Sequence, residues 1–199
     1  MVKYIFVLCM ALFTVCCAFG QSIPEEEPYK EKKGQGVSEK VYFGGNFGLY
    51  FGNDYSYVEV SPLVGYRITP RLSSGVGATY IYYHFGQQGI STHIYGGRVF
   101  SEYTFIHDLQ NLLNIGFNGS FSLYTEFEVL SLEKKYFYVV NTTLSEEPGR
   151  YLQPAWWVGL NIGLPLGQRG RFNFGILWDL LNTRNSLYSS PHVRAGFQF

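Results

Sequence analysis

The chain has 199 residues, of which 19% are aromatic and 15% are charged, and its formal net charge is zero. Typical soluble domains carry about 25% charged residues, so this composition argues against an ordinary soluble domain. The zero net charge gives no electrostatic basis for binding nucleic acid, and no nucleic-acid partner is expected. High aromatic and glycine content in short apolar segments is typical of a membrane β-barrel.

The N-terminal segment has the pattern of an export signal. An apolar run from about residue 5 to 15 is followed by small residues at Ala18 and Gly20. This run is shorter than the roughly 20 residues that a membrane-spanning helix needs. We therefore expect residues 1–20 to be a cleaved signal peptide that contains all the cysteines of the chain. Residues 21–40 are charged and interrupted by proline and glycine, and we expect a disordered periplasmic leader there.

From residue 41 onwards the sequence alternates between apolar and polar residues, which indicates β-strands with two different faces. In the last segment, for example, Val193, Phe197 and Phe199 share one face and Arg194 lies on the other. Most segments reach the roughly 9–11 residues with which a tilted strand crosses a bilayer. The alternation predicts eight strands, at about 41–51, 57–68, 72–85, 93–106, 112–124, 152–166, 171–182 and 191–199.

Charged residues avoid the apolar face of every predicted strand. We therefore predict an all-β fold, a closed antiparallel eight-stranded transmembrane β-barrel over residues 41–199. The alternative is a secreted soluble barrel of the lipocalin kind, which would place the apolar face inside. The interior of an eight-stranded barrel is just wide enough for side chains. The inward charged residues are therefore expected to form a packed, paired network: Glu59, Arg67, Arg98, Glu102, Arg171, Asp179 and Arg194.

One ion pair of this network can be predicted from the last hairpin. If Asn182 faces Pro191 across the hairpin, the register places Asp179 opposite Arg194, with both side chains inside. We therefore expect an ion pair between Asp179 and Arg194.

Two stretches carry a resemblance to a known group of proteins. Residues 64–77 form a strand, turn and strand with alternating aromatic and basic residues, and residues 196–199 form an aromatic terminus. With these features the chain resembles the small eight-stranded outer-membrane barrels of the OmpA/OmpX type. It resembles the porin-like and PorT-like outer-membrane β-barrel domain proteins more closely.

This resemblance implies a location in the bacterial outer membrane, with outer-membrane lipid around the barrel. It also implies that Phe197 and Phe199 resemble the signal that the barrel-assembly machinery reads. It implies no chemistry, because the group shares a fold and not an activity.

Polar residues near the outer rim leave an enzyme or a metal site open as hypotheses. Barrel lipases and acyltransferases use serine, histidine and acidic groups at such a rim, and three histidines could also bind a metal ion. A narrow porin-like channel through the interior is a further alternative. No sequence motif supports any of them, so no catalytic, cofactor or metal site is expected. The rim residues concerned are His84, His93, His192, Ser91, Ser190 and Asp54.

The longest predicted connection, residues 126–151, is expected on the outer side of the membrane. Residues 133–144 within it predict a turn followed by a strand, as in a hairpin that rises beyond the membrane. Tyr136, Phe137 and Tyr138 would then be exposed aromatic residues that could bind an extracellular protein. We therefore expect a structural or surface-binding protein that acts through its outer loops.

Overall fold

A computed structural model describes residues 40–52, 54–86, 90–109, 118–137, 139–140, 143–144, 148–167, 170–183, 186–188 and 190–199. The chain divides into two units, Met1–Gln35 and Gly36–Phe199, and the described residues all belong to the second. The predicted signal peptide and nearly all of the predicted leader, residues 1–39, lie outside the described residues.

Eight long strands form one closed antiparallel barrel in the order β1-β10-β9-β8-β5-β4-β3-β2. A one-turn helix and a pair of two-residue strands, β6 and β7, lie between β5 and β8. The predicted fold class is therefore confirmed. The elements are β1 Val41–Phe51, β2 Tyr55–Arg67, β3 Leu72–Phe85, β4 Ile90–Ile106, β5 Ser120–Glu133, α1 Lys134–Phe137, β6 Val139–Val140, β7 Thr143–Leu144, β8 Arg150–Leu166, β9 Gly170–Asp179 and β10 His192–Gln198.

The first and last strands close the barrel. Gly45 of β1 lies opposite Phe197 of β10 in the ladder. Two residues further along, the backbone N–H of Phe43 donates to the carbonyl oxygen of Phe199 at 3.1 Å, and the reverse bond measures 2.7 Å. Closure leaves the barrel without a free strand edge. In a membrane, a free edge would expose unsatisfied backbone groups.

The fifth wall strand differs from its predicted bounds of 112–124. β5 extends to Glu133, and the predicted positions 112–117 lie outside the described residues. The prediction ended the strand too early because the glutamates at 126 and 128 resembled a charged loop. Both side chains are buried inside the barrel, while Phe127 between them is exposed on the outside. The long connection therefore spans 134–149 rather than 126–151.

Connections alternate between the two ends of the barrel. The turn end contains residues 68–71, 107–119, 167–169 and the C-terminus. The loop end contains residues 52–54, 86–89, 134–149 and 180–191. Of the connection predicted at 107–111 and the strand predicted to follow it, the structure describes residues 107–109 and 118–119, and residues 118 and 119 are not in a strand.

The outer surface of the barrel is apolar and its interior carries the charges. Large apolar side chains project outward along the wall, such as Phe43 at 63% exposure and Val99 at 54%. Glu59 and Glu102, by contrast, are almost fully buried. A soluble lipocalin-type barrel would show the reverse arrangement, so the wall strands are transmembrane strands. Among the described residues, no helix is long and apolar enough to cross a membrane.

Candidate functional site: the barrel interior and its loop end

The centre of the interior is organised around the carboxylate of Glu126. Arg194 donates to its Oε1 at 2.7 Å, and Arg98 lies 3.3 Å from its Oε2. The hydroxyl of Tyr124 donates to the same Oε2 at 2.5 Å. Arg98 also donates to the carbonyl oxygen of Ser61 at 2.8 Å. One carboxylate thus links guanidinium groups from β4 and β10, strands on different sides of the barrel.

Two further carboxylates lie at the same level. Glu128 accepts a hydrogen bond from Thr79 at 2.7 Å, and Glu59 accepts one from Ser61 at 2.9 Å. Neither glutamate forms an ion pair among the residues that the structure describes. The level therefore contains three carboxylates and the two guanidinium groups of Arg98 and Arg194.

A separate ion pair lies towards the turn end. Arg171 contacts Glu102 at 3.0 Å and donates to the hydroxyl of Ser122 at 3.3 Å. Arg67, which was predicted to belong to the same interior network, is exposed at this end, and its guanidinium group lies 5.6 Å from the ring centre of Tyr42. The charged network is thus divided into a central group and a pair near the turn end.

The predicted ion pair between Asp179 and Arg194 is absent from the described residues. In the ladder Arg194 lies opposite Gly175, whereas Asp179 lies beyond the paired part of β9 and β10. The prediction was wrong because residues 180–191 fold as a longer loop than a hairpin with Asn182 opposite Pro191. Asp179 instead accepts hydrogen bonds from the backbone N–H groups of Trp156 at 3.1 Å and Leu181 at 3.0 Å.

Apolar side chains fill the space between and above the charged groups. One cluster includes Phe100 and Trp157, and Trp157 is fully buried. A second cluster lies at the loop end and contains Ile81, Ile94, Leu130 and Leu132. Residues Leu187 and Tyr188 of the 180–191 loop pack against this second cluster. The interior is therefore packed with side chains.

Sequence reasoning missed Glu126, Glu128 and Trp157 as interior residues. The signal was present, because both glutamates keep the parity of Ser122, which is also buried in the interior. Trp157 has the same parity as Gln153, which is buried as well. Extending the alternation of β5 past Glu126 would have found both glutamates, and applying it to each residue of the strand predicted at 152–166 would have found Trp157.

The predicted recognition aromatics do not lie on a strand. Tyr136 and Phe137 belong to α1, the one-turn helix, and both are half-buried. The ring of Phe137 lies 5.7 Å from that of Tyr83 and 6.0 Å from that of Phe85. The ring of Tyr136 also contacts Phe85, at 5.9 Å. Tyr138, the third predicted residue, lies outside the described residues.

The rim histidines are separated by the barrel wall. His84 and His93 are on β3 and β4, where His84 Nδ1 lies 2.9 Å from Ser91 Oγ and His93 Nδ1 lies 2.8 Å from the hydroxyl of Tyr80. His192 packs against Trp157 inside the barrel, at 5.5 Å between ring centres. No group of three metal-binding side chains occurs among the described residues.

The predicted companions of these histidines lie in different surroundings. The hydroxyl of Tyr82 donates to Ser91 at 2.9 Å, so Ser91 lies between Tyr82 and His84. Ser190 accepts a hydrogen bond from the backbone N–H of Asp179 at 3.2 Å. Asp54 is in the 52–54 turn, where its carbonyl oxygen accepts from the N–H of Gly86 at 2.9 Å.

Comparison with protein-family models gives no match for this chain. Comparison with curated proteins gives no match either. Among solved structures, the chain is similar to the N-terminal β-barrel domain of Pseudomonas aeruginosa OprF. The identity is 12% and the TM-score 0.47, and the alignment covers 80% of this chain and 94% of that chain. At this identity the likeness concerns the fold alone. The strands and faces described above are those of an eight-stranded transmembrane β-barrel.

Proposed function

We propose that this chain is an integral outer-membrane barrel with a closed interior, which acts as a structural or surface-binding protein through its loop end. The observation that supports this proposal is the packed interior, from the Arg171–Glu102 pair to the apolar cluster around Ile81 and Leu132. A barrel filled in this way offers a rigid support for loops. No catalytic group, cofactor or nucleic acid is needed for this role.

The proposal also covers the lipid around the barrel, its export and its assembly. Outer-membrane lipid would contact the exposed apolar wall, and a cleaved signal peptide would direct export. Phe197 and Phe199 are 43% and 65% exposed on the outside near the turn end, where the barrel-assembly machinery could read them. Tyr82 and Tyr95 are exposed on the wall towards the loop end, as aromatic residues at a membrane interface commonly are.

A closed interior predicts the electrical behaviour of the purified barrel. In planar bilayers the chain should give no stable large conductance, because packed side chains block a water-filled path. Single-channel recording would check this, with a known porin reconstituted in parallel as the positive control. A steady wide conductance from the purified chain would make it a porin, whereas a small steady conductance would support the narrow-channel alternative.

The loop-end connection 134–149 is the best candidate for a binding surface. It is the longest of the connections at that end. Its first turn, α1, is attached to the barrel mouth by the ring contacts of Phe137 with Tyr83 and Phe85. The ammonium group of Lys135 lies 5.6 Å from the ring centre of Tyr136. A cation beside a half-buried aromatic ring on a fixed support is a common feature of recognition surfaces.

Removal of this connection should separate binding from folding. We expect replacement of residues 134–148 by a short glycine-serine linker to leave the barrel folded, since the deletion removes α1 with the rest of the connection but spares the wall strands. The variant should lose cross-linking to any extracellular partner on intact cells. Heat-modifiable gel mobility would verify folding, and Lys40→Ala at the opposite end would serve as the matched control.

Two results would contradict the proposal. Retention of full partner cross-linking by the deletion variant would exclude the 134–148 segment as the binding surface. A phospholipid-hydrolysing activity that disappears in both Ser91→Ala and His84→Ala would instead support the outer-leaflet enzyme. The 2.9 Å contact between His84 and Ser91 is the observation that favours this second candidate.

A further inference from the structure

A cavity of about 120 Å³ lies inside the mouth of the barrel at the loop end. Four tyrosines line it: Tyr55 and Tyr57 from β2, Tyr83 from β3 and Tyr188 from the 180–191 loop. The proposed surface-binding role assigns no task to this cavity. The remaining lining residues are Ile81, Leu187 and His192.

The tyrosine rings form a continuous aromatic wall. The rings of Tyr55 and Tyr83 are stacked at 5.2 Å, and those of Tyr57 and Tyr83 are stacked at 6.1 Å. On the opposite side, Tyr188 packs against His192 at 4.7 Å between ring centres. The face of an aromatic ring carries negative electrostatic potential, so several rings around a cavity favour a cation.

Carboxylates lie one layer further into the barrel. Glu59 is two residues beyond Tyr57 on the inward face of β2. The carboxylate of Glu128 accepts a hydrogen bond from the hydroxyl of Thr79. Thr79 is two residues before the cavity residue Ile81 on β3. The pKa of the Tyr188 phenol is raised well above its ordinary value, first by burial and then by the charges of Glu128 and Glu59.

The charge balance beneath the cavity is negative. Three carboxylates and two guanidinium groups lie beneath the cavity, which leaves a net charge of minus one. Arg98 and Arg194 both contact Glu126, whereas Glu128 and Glu59 have only hydroxyl partners among the described contacts. The Oε2 oxygen of Glu128 is buried and accepts no hydrogen bond from the described residues. A buried carboxylate without a cation is costly, so a cation in the aromatic cavity would compensate charge that the barrel itself leaves unbalanced.

The volume of the cavity limits the size of the cation that it can hold. A cavity of about 150 Å³ accepts a single benzene ring. The present cavity is slightly smaller and lacks the oxygen ligands that a bare metal ion would need, since its walls are phenol rings and aliphatic chains. A compact organic ammonium group satisfies both the volume and the aromatic surface.

We propose that the loop-end cavity binds a small methylated ammonium cation, with Tyr55, Tyr57, Tyr83 and Tyr188 as an aromatic cage and Glu128 and Glu59 as the counter-charge beneath it. Leu187 and Tyr188, between β9 and β10, form one part of the cage lining.

Binding is tested with choline chloride on the full chain, folded in a detergent that has no choline head group. Isothermal titration calorimetry near neutral pH measures the affinity. The comparison ligand is dimethylbutanol, the uncharged analogue in which carbon replaces the nitrogen. Choline should bind at least about tenfold more tightly than dimethylbutanol, because only the cation gains from the rings and carboxylates.

Substitutions distinguish the cage from the rest of the barrel. Tyr83→Leu, Tyr188→Leu and Glu128→Gln should each weaken choline binding by about tenfold or more. Tyr82→Leu is the matched control, because Tyr82 is adjacent on β3 but is exposed on the outer face, and binding should not change. Heat-modifiable mobility would check that each variant folds, and Tyr188→Leu changes a loop residue outside the barrel wall.

Three outcomes would overturn the proposal. The first is the absence of choline binding by the unmodified chain. The second is equal affinity for choline and dimethylbutanol, which would make the cavity a plain apolar pocket. The third is unchanged choline affinity in the folded Tyr188→Leu and Glu128→Gln variants.

Discussion

Replacing Glu126 with glutamine should lower the free energy of unfolding by about 3–5 kcal/mol. Glu126 is 1% exposed and accepts from Arg98, Arg194 and Tyr124. Glutamine keeps the shape of the side chain but removes its charge, so two buried guanidinium groups lose their counter-ion. The loss would be measured by urea unfolding of the barrel in lipid vesicles, followed by tryptophan fluorescence.

Glu133→Gln is the matched control for this substitution. Glu133 also pairs with an arginine, Arg150 at 3.4 Å, but the two side chains are 36% and 28% exposed at the loop end. Water screens such a pair, so the control should cost less than about 1 kcal/mol. Equal losses in Glu126→Gln and Glu133→Gln would show that Glu126 does not hold the central charges together.

A second variant separates the cost of a stranded charge from the value of the ion pairs. Replacing Glu126, Arg98 and Arg194 together with apolar residues of similar volume should destabilise less than Glu126→Gln alone. The reason is that the triple variant leaves no guanidinium group that has lost the carboxylate of residue 126. A triple variant that is less stable than Glu126→Gln would indicate that the pairs themselves stabilise the barrel strongly.

The wall of the barrel was predictable because alternation with a period of two fixes the face of every residue once a strand is recognised. Val41–Phe51 and Leu72–Phe85 were predicted with the bounds that the structure shows. The same rule failed for β5, where Glu126 and Glu128 were interpreted as a loop. In an eight-stranded barrel, a charged residue that keeps the alternation of the strand can lie in the interior, as a serine can.

Pairing between interior residues was not predictable from the same rule. Parity assigns Arg194 to the interior, but its partner depends on strand register and on which strands lie across the barrel. Arg194 of β10 contacts Glu126 of β5, a strand that is not its neighbour in the sheet. Contacts of this kind follow from closure of the barrel. The cavity lined by Tyr57 and Tyr188 likewise depends on how the 180–191 loop folds.

Replacing Val99 with arginine should destabilise the membrane-inserted barrel by about 2–4 kcal/mol. Val99 lies near the middle of β4, is 54% exposed on the outer face and is opposite Val76 in the neighbouring strand. A guanidinium group at this height would have to leave water for hydrocarbon or distort the bilayer around it. The change would be measured as the free energy of unfolding from phospholipid vesicles in guanidinium chloride.

The control for this prediction is an arginine placed at a different depth along the barrel wall. Leu152 is 70% exposed on the same outer surface but lies at the third position of β8, close to the loop end. Leu152→Arg should cost only about 0–1 kcal/mol, because the side chain can reach the head-group region. Val99→Leu should be close to neutral, since it keeps an apolar group against lipid. Similar costs for arginine at positions 99 and 152 would contradict a bilayer that is centred on the middle of the barrel, because only a hydrocarbon layer of limited thickness distinguishes the two sites.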